Sequence, residues 1–282
     1  MIKIRKVIEK DHKQVLELVE NIWGGGDYIP FIFFNWVRDG GFFLAEYDGE
    51  PAGLAKVTMF DKGDWWLEGL RVGRRFRGLK IANHLTDFIL GDLRKRGYNS
   101  IQYATGADNK ASLYIGMKHG FVQLGKFTFH SFFPNPTLAI NHKKMFKVHD
   151  AEKIFHLLFN SELIKKTSGT IPMSWTFRKL SKEFISSLSK SGNIITAGDI
   201  DTDGFAIYQI KDGFNRLEIL WLETRDISLQ EYLRFFNAQV LKKLDYSITI
   251  TVPVYTRIIP AFSTSGLKLD WKHGVRLLEY QK

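Results

Sequence analysis

The chain has 282 residues, of which 44% are hydrophobic and 25% charged, and its formal net charge is +10. It contains no cysteine, which excludes disulfides, thiolate metal sites and cysteine nucleophiles. No apolar run is long enough to span a membrane and the first residues lack a signal-peptide core, so we expect a cytoplasmic protein without a membrane partner. The positive charge suits an anionic small ligand, and it also suits weak binding to nucleic acid.

The first half of the chain predicts elements in the order β-α-α-β-β-β-α-β-α-β. In chain order these are a strand at 1–7, a helix after Asp11, a helix at 30–38, strands at 41–47, 52–60 and 65–72, a helix at 81–96, a strand at 100–104, a helix at 109–119 and a strand at 121–129. Strand runs flanked by helices predict an α/β fold, a mixed sheet with helices on its faces.

The second half repeats this order without a literal sequence repeat. It predicts helices at 150–159 and 179–189, strands at 193–198, 205–210 and 216–222, a helix at 228–244, a strand at 246–253, a helix at 255–265, and strand character at 266–269 and 275–280. Pro134 and Pro136 mark a boundary between the halves. We therefore predict two domains, 1–135 and 145–282, the second a diverged copy of the first.

The stretch 68–82 carries the clearest functional pattern. A strand ends, a basic loop containing glycine follows, and a long helix begins. The first turn of a helix has free N–H groups at a positive dipole end, which binds phosphate. Gly78 permits close backbone approach, and Arg74, Arg75 and Arg77 add positive charge. The stretch suits a polyphosphate ligand, although a basic surface loop beside an ordinary helix would give the same pattern.

This stretch resembles the acetyl-coenzyme A (acetyl-CoA) loop of the GNAT superfamily of N-acetyltransferases, whose pattern is Arg/Gln-x-x-Gly-x-Gly/Ala. Arg77 and Ala82 match the outer positions, whereas Lys80 replaces the middle glycine. The preceding Glu-Gly-Leu-Arg-Val strengthens the match. The resemblance implies a mixed α/β GNAT fold and acetyl-CoA as co-substrate, bound by Arg77, Gly78, Leu79, Lys80, Ile81 and Ala82.

A second group of residues further along also fits the family pattern. Its members are Asn109, Ser112, Gly120 and Phe121. The position where the family places a tyrosine is Gly116 here, and Tyr114 lies two residues earlier. The resemblance implies that Asn109 lies near the pantetheine arm and that a tyrosine, here Tyr114, lies near the thioester sulfur.

Acetylation of an amine requires a base, because a protonated amine has no lone pair. Glu68 lies on the strand before the loop and is the candidate base, the alternative being a solvated or ion-paired strand glutamate. Tyr114 is the candidate donor to the leaving thiolate, the alternative being a core aromatic. Main-chain N–H groups of Leu70 and Val72 would polarise the thioester carbonyl.

The segment 24–30 lies where the superfamily shapes the acceptor pocket. We expect Asp27 to attract a cationic amine and Tyr28 to form a wall of the site. The segment resembles the Asp-Tyr-x-Pro stretch of the histidine N-acetyltransferase-like branch. A glycine hinge before a helix that opens at Pro30 explains the same residues equally well.

The histidines do not predict a metal site. The most regular set is His142, His149 and His156, and seven residues on a helix rise about 10 Å, too far for one ion. The second half lacks a basic glycine loop, and Asp226 stands where phosphate would bind. We therefore interpret that half as a non-catalytic partner that would cover the acceptor cleft.

These patterns predict an acetyl-CoA-dependent N-acetyltransferase that acts on a primary amine of a small molecule or amino acid, as a monomer or homodimer. A protein lysine or N-terminal acetyltransferase is the first alternative. A non-catalytic acyl-CoA sensor or nucleic-acid-binding module is the second, and we rank it last because binding alone does not require a carboxylate at Glu68.

Overall fold

The computed structural model describes residues 1–136, 144–211, 214–224, 226–241, 245–254 and 267–281. The chain forms two compact units: Met1–Tyr103 with Asn109–Val122 and Leu278–Lys282, and Ala104–Asp108 with Gln123–Leu277. The predicted division at 135 and 145 stays a prediction. His142 and the predicted helix at 255–265 lie outside the described residues. Among the described helices, none is long and apolar enough to cross a bilayer.

The first half of the chain forms its helices and strands in the predicted order. They are β1 (Ile2–Lys6), α1 (His12–Val19), α2 (Ile29–Asp39), β2 (Phe42–Tyr47), β3 (Glu50–Asp61), β4 (Asp64–Val72), α3 (Ile81–Arg96), β5 (Ser100–Gly106), α4 (Lys110–Lys118) and β6 (Phe121–Phe132).

The first unit is built on a mixed sheet with the order β1-β2-β3-β4-β5. Neighbouring strands are antiparallel as far as β4, and β4 pairs with β5 in parallel through the crossover helix α3. Successive side chains of β2 face opposite ways. Phe43 and Ala45 join the core under α3, whereas Phe42 and Leu44 join the core under α1 and α2. The two cores explain why residues 42–45 of this strand are all hydrophobic.

A β-bulge interrupts β4 directly after Glu68. The pairing of β3 with β4 gains one extra residue on β4 between Glu68 and Arg71. Gly69 takes the left-handed conformation there, with φ of +65°. A Cβ atom at this position would lie 2.6 Å from the ring of Trp36 in α2. The bulge therefore requires glycine for both its backbone conformation and its packing.

The strands β4 and β5 pair only over their first residues, from Asp64 to Trp66 on β4. The remainder of β4, which includes the bulge, runs without a β5 partner. The Gly73 N–H donates to Ala52 O of β3 over 2.9 Å. Because backbone groups alternate along a strand, the Val72 N–H faces the opposite edge, toward the gap left by β5. The gap thus presents main-chain donors at the carboxyl end of β4.

The second half contains more elements than the sequence predicts. They are β7 (Phe146–Lys147), α5 (Ala151–Asn160), α6 (Glu162–Lys166), β8 (Thr170–Met173), β9 (Thr176–Lys179), α7 (Lys182–Lys190), β10 (Ile194–Thr196), α8 (Ile200–Asp203), β11 (Phe205–Lys211), β12 (Arg216–Glu223), α9 (Asp226–Val240), β13 (Ser247–Pro253), β14 (Lys268–Leu269) and β15 (Val275–Tyr280). The helix predicted from residue 179 begins only at Lys182, because the Ser181 side chain caps it by accepting from the Phe184 N–H.

The second unit repeats the topology of the first. Its strands follow the order β7-β10-β11-β12-β13, antiparallel as far as β12 and then parallel between β12 and β13 across α9. The pairing of β11 with β12 also gains one extra residue on β12, at Leu220. The predicted fold class, a mixed α/β sheet flanked by helices with a second diverged half, is confirmed.

We expect Gly69→Ala to lower the free energy of unfolding by about 2–4 kcal/mol, because it combines left-handed strain of about 1 kcal/mol with overpacking of about 1–3 kcal/mol. Gly24→Ala is the matched control, since Gly24 is also left-handed, with φ of 68° and ψ of 27°, but has open space around its Cβ position. It should cost about 1 kcal/mol. Urea unfolding followed by tryptophan fluorescence measures both, and equal losses would contradict the steric role of Trp36.

Candidate active site

Glu68 lies on β4 immediately before the bulge, half-buried on the sheet. Its Oε1 accepts a hydrogen bond from the Thr58 hydroxyl of β3 over 2.7 Å. Burial raises the pKa of this carboxyl, while the Thr58 hydrogen bond and the nearby Lys56 charge act in the opposite direction. A carboxyl whose pKa is raised toward neutrality suits proton transfer.

A buried lysine stands next to this carboxyl. Lys56 is 2% exposed, and its Nζ donates to Val57 O over 2.8 Å and to Thr58 Oγ1 over 3.0 Å. Burial lowers the pKa of Lys56, and the charges of Glu68 and Asp39 oppose that effect. The sequence reasoning missed Lys56 and Thr58, since a lysine and a threonine in a strand ordinarily face solvent.

Asp27 is held by an arginine of β4. Arg71 Nε donates to Asp27 Oδ2 over 2.6 Å, and the Asp27 side chain is 2% exposed. The Arg71 guanidinium also lies over the ring of Trp23, at 4.1 Å from its centroid. The negative charge of Asp27 is thus already balanced by Arg71. Its expected attraction for a cationic amine must therefore be revised, and its observed role is to anchor the segment 24–30 to β4.

Tyr28 lies within the electrostatic field of the same groups. Burial, followed by the charges of Glu68 and Asp27, raises its pKa to about 12, against the opposing effect of Arg71. Its phenol is therefore protonated at neutral pH. Tyr28 also packs edge-on against Trp36, at 5.9 Å between ring centroids. The charges of Glu68 and Asp27 thus act on Tyr28, and the expected roles of these residues in the acceptor site stay predictions.

Trp23 has a backbone conformation that is rare for a large residue. Its φ and ψ are 50° and 37°, within the turn that continues through Gly24 and Gly25. The indole is 64% exposed and covers the guanidinium of Arg71. Strain of this kind persists where surrounding contacts fix it, and it clusters at functional sites. Neither Trp23 nor Arg71 was identified from the sequence.

The basic loop leads from β4 to α3 through a short 3₁₀ turn, Arg74–Phe76. The buried ring of Phe76 anchors the turn, whereas the arginines are exposed. Arg75 pairs with Glu50 over 2.5 Å. Arg74 and Arg77 form no ion pair within the described part of the chain, so their charges are available to an anion.

Lys80 is the residue before α3 and adopts the left-handed conformation, with φ of 59° and ψ of 16°. Gly78 is also left-handed, with φ of +86°. The Lys80 backbone therefore has the conformation that a glycine would adopt at low cost. The Leu79 N–H donates to Phe76 O over 3.3 Å, whereas the Ile81 N–H has no acceptor among the described residues. The side chain of Lys80 is exposed and does not fill the turn.

The start of α3 has no capping side chain and no acidic residue in its first turn. The N–H groups of Ile81, Ala82 and Asn83 consequently have no acceptor in the part of the chain that the structure describes. Ile81 itself is buried and fixes the helix onto the sheet. The arrangement is a set of main-chain donors beside exposed arginines, which fits the predicted pyrophosphate.

The two predicted residues of α4 have different surroundings. Asn109 caps the helix, with its Oδ1 accepting from the Ser112 N–H over 3.2 Å. Tyr114 is 61% exposed, so it is not the core aromatic that was the alternative. No hydrogen bond fixes its phenol within the described residues.

A different tyrosine, Tyr103, lies beside Gly116, the position where the family places its tyrosine. A Cβ atom on Gly116 would lie 2.0 Å from the Tyr103 hydroxyl. Tyr103 is the first residue of β5 beyond the paired region, and its hydroxyl donates to Ser112 O over 3.0 Å. Burial raises its pKa to about 12. A larger residue at 116 would therefore require the Tyr103 ring to move.

The second unit has closed the corresponding space. Beyond the pair formed by Ile219 and Ile250, β12 and β13 separate around a cavity of only about 10 Å³. Leu163 of α6 and Trp221 contribute to its apolar lining. Such a space holds at most one water molecule. The side chain of Asp226, which was expected to repel phosphate, lies outside the described residues.

The comparisons with known proteins agree with this geometry. The model of the acetyltransferase (GNAT) family matches residues 12–121. The chain is 35% identical to a histidine N-acetyltransferase of Xenopus tropicalis over 97 residues, which are 33% of this chain and 30% of that protein. It is 34% identical to the probable N-acetyltransferase 16 of Homo sapiens over 99 residues, 34% of this chain and 27% of that protein. The match thus spans less than a third of these relatives.

Solved structures share the fold over nearly the whole chain. A GCN5-related N-acetyltransferase from Sphaerobacter thermophilus has a TM-score of 0.68 at 15% identity, over 99% of this chain and 95% of that one. A putative acetyltransferase from Thermoplasma acidophilum has a TM-score of 0.62 at 16% identity, over 99% and 100%. At these identities the likeness concerns the fold.

The family match includes the bulged strand, the basic loop and α4, which are the elements that the sequence motifs marked. Residues 12–121 therefore match the GNAT acetyltransferase family, and the chain is similar to histidine N-acetyltransferases over about a third of its length.

Proposed function

We propose that the protein is an acetyl-CoA-dependent N-acetyltransferase whose acceptor is a primary amine of a small molecule or amino acid. The observation that carries this proposal is the separation of β4 from β5 beyond Trp66, which leaves main-chain donors beside Glu68 and ahead of the basic loop. The names of the relatives, histidine N-acetyltransferase, support an amino-acid acceptor.

The residues present fit the predicted co-substrate. The N–H groups at the start of α3, and Arg74 and Arg77, have no partner among the described residues and match a diphosphate in donor type and charge. Asn109 and the far part of β4 would lie along the pantetheine arm. The bound thioester supplies the acetyl group, and the Val72 N–H, together with Leu70 at the bulge, would donate to its carbonyl oxygen.

Glu68 would accept a proton from the acceptor ammonium. Its pKa is raised, so it lies closer to neutral pH than the pKa of an exposed carboxylate does. Tyr28 would form a wall of the acceptor site, and its neutral phenol would donate a hydrogen bond to the acceptor. Arg71, paired with Asp27 and covered by Trp23, would hold the segment 24–30 in place beside the acceptor.

The decisive measurement is thiol release from acetyl-CoA across a panel of amino acids, polyamines and peptides. Glu68→Gln should lower kcat/KM for the true acceptor by about 10²–10⁴-fold, the usual contribution of a general base. For the wild type, kcat/KM should fall as the pH drops through the raised pKa of Glu68, because the base works in its ionised form.

Thr196→Ser, in the second unit, is the control. It should leave unchanged the fall of kcat/KM at low pH, which is the acidic limb of the pH profile. A Glu68→Gln variant with wild-type kcat/KM would exclude Glu68 as the base. Binding of CoA without thiol release on any acceptor would favour the sensor alternative, and turnover of peptides alone would favour the protein acetyltransferase.

The two tyrosines make separable contributions. If Tyr114 donates to the leaving thiolate, Tyr114→Phe should lower kcat at least tenfold with little change in stability, because the side chain is exposed. Tyr103→Phe should lower the free energy of unfolding by about 1 kcal/mol, since it leaves Ser112 O without its donor. A loss of kcat in Tyr103→Phe but not in Tyr114→Phe would indicate that Tyr103 is the donor.

Main-chain donors, rather than the Lys80 ammonium, should dominate cofactor binding. Ala82→Pro removes one N–H from the first turn of α3, and it should weaken CoA binding by about tenfold or more. Lys80→Gly keeps the left-handed backbone and should change the affinity by about threefold or less. Calorimetric titration with CoA measures both, and the reverse ranking would contradict the main-chain site.

A further inference from the structure

A chain of hydrogen bonds runs from β3 to the Glu68 carboxylate. Lys56 Nζ donates to Thr58 Oγ1 over 3.0 Å, and the Thr58 hydroxyl donates to Glu68 Oε1 over 2.7 Å. Lys56 and Glu68 are direct partners in the register of β3 and β4, so their side chains share one face of the sheet. All three residues belong to the first unit.

The buried position of Lys56 calls for an explanation. The side chain is 2% exposed, and no carboxylate lies within ion-pair distance in the described part of the chain. A buried ammonium is costly, and an apolar side chain of similar length would pack there at lower cost. The Lys56 ammonium instead has two oxygen acceptors, Val57 O and Thr58 Oγ1. Packing alone therefore does not account for a lysine here.

We propose that Lys56 and Thr58 are positioning residues that hold the Glu68 carboxylate oriented and ionised, a proposal that rests on the role of Glu68 as the base. A hydroxyl has a single proton. Because the Thr58 oxygen accepts from Lys56, its proton is directed to Glu68 Oε1. Oε2 has no hydrogen-bond partner within the described residues, and it is the oxygen left for the acceptor amine.

The other charged and titratable groups around Glu68 come from three elements. Arg71 of β4 is paired with Asp27, Tyr28 precedes α2 with a neutral phenol, and Asp39 at the end of α2 acts on Lys56. Lys56 thus contributes the positive charge that acts directly on Glu68. Removal of that charge, or of the Thr58 hydroxyl, should make the carboxylate harder to ionise.

The test is the pH profile of kcat/KM for thiol release with the true acceptor. Lys56→Met and Thr58→Val should each move the acidic limb upward by about one pH unit, which is about a tenfold loss at a fixed pH below the limb. The loss should shrink at high pH and appear in kcat more than in KM. Thr58→Ser retains the hydroxyl and should restore the wild-type limb.

Lys62→Met is the matched control, because it removes a lysine charge from the exposed turn between the same strands. It should leave the limb unchanged, and CoA affinity reports that each variant is folded. In a Glu68→Gln background, Thr58→Val should have no further effect on the residual rate.

The outcomes separate the two proposals. If Glu68→Gln is inactive but the limb stays in place in both Lys56→Met and Thr58→Val, the positioning role is overturned while the base is retained. If Glu68→Gln keeps the wild-type rate, the assignment of the base fails, and the inference fails with it.

Discussion

The parting of β4 from β5 is the constraint on which the rest of the site depends. Two parallel strands satisfy each other's backbone groups only while they remain adjacent, and here the pairing ends at Trp66. Beyond that point β4 carries main-chain donors without a partner in β5. Unpaired N–H groups next to a gap form a binding site for an acyl carbonyl, provided that the strand is held rigid.

The β4 strand is held rigid by β3 on its other edge and by α2, which packs on its face. The β4 strand remains paired with β3 through the bulge, and Trp36 of α2 packs directly over Gly69. Arg71 ties the same stretch to Asp27 and to the strained turn at Trp23. The strand is therefore fixed from three directions while its β5 edge stays free, a combination that suits a site that must not move during reaction.

The second unit illustrates what happens when the same topology lacks this opening. It retains the strand order, the parallel pair and the extra residue on β12. However, apolar side chains and the inserted α6 reduce the space between β12 and β13 to a cavity of about 10 Å³. The fold alone thus does not make a binding site, and function depends on which side chains line the gap.

The sequence by itself determined the fold class, the order of the elements and the loop that leads into α3. These follow from local periodicity, glycine positions and charge, which act within a few residues of one another. The bounds of α3, Ile81–Arg96, agree with the predicted helix, because its apolar face and the following Gly97 specify them locally.

Only the tertiary structure decided the partners of the site residues. The pairing of Asp27 with Arg71 joins residues 44 positions apart, and the contact of Lys56 and Thr58 with Glu68 depends on the register of β3 against β4. The hairpin β8–β9 and the place of Tyr103 beside Gly116 were likewise invisible in the sequence. Such contacts are set by how strands and helices pack, and residue spacing alone does not encode them.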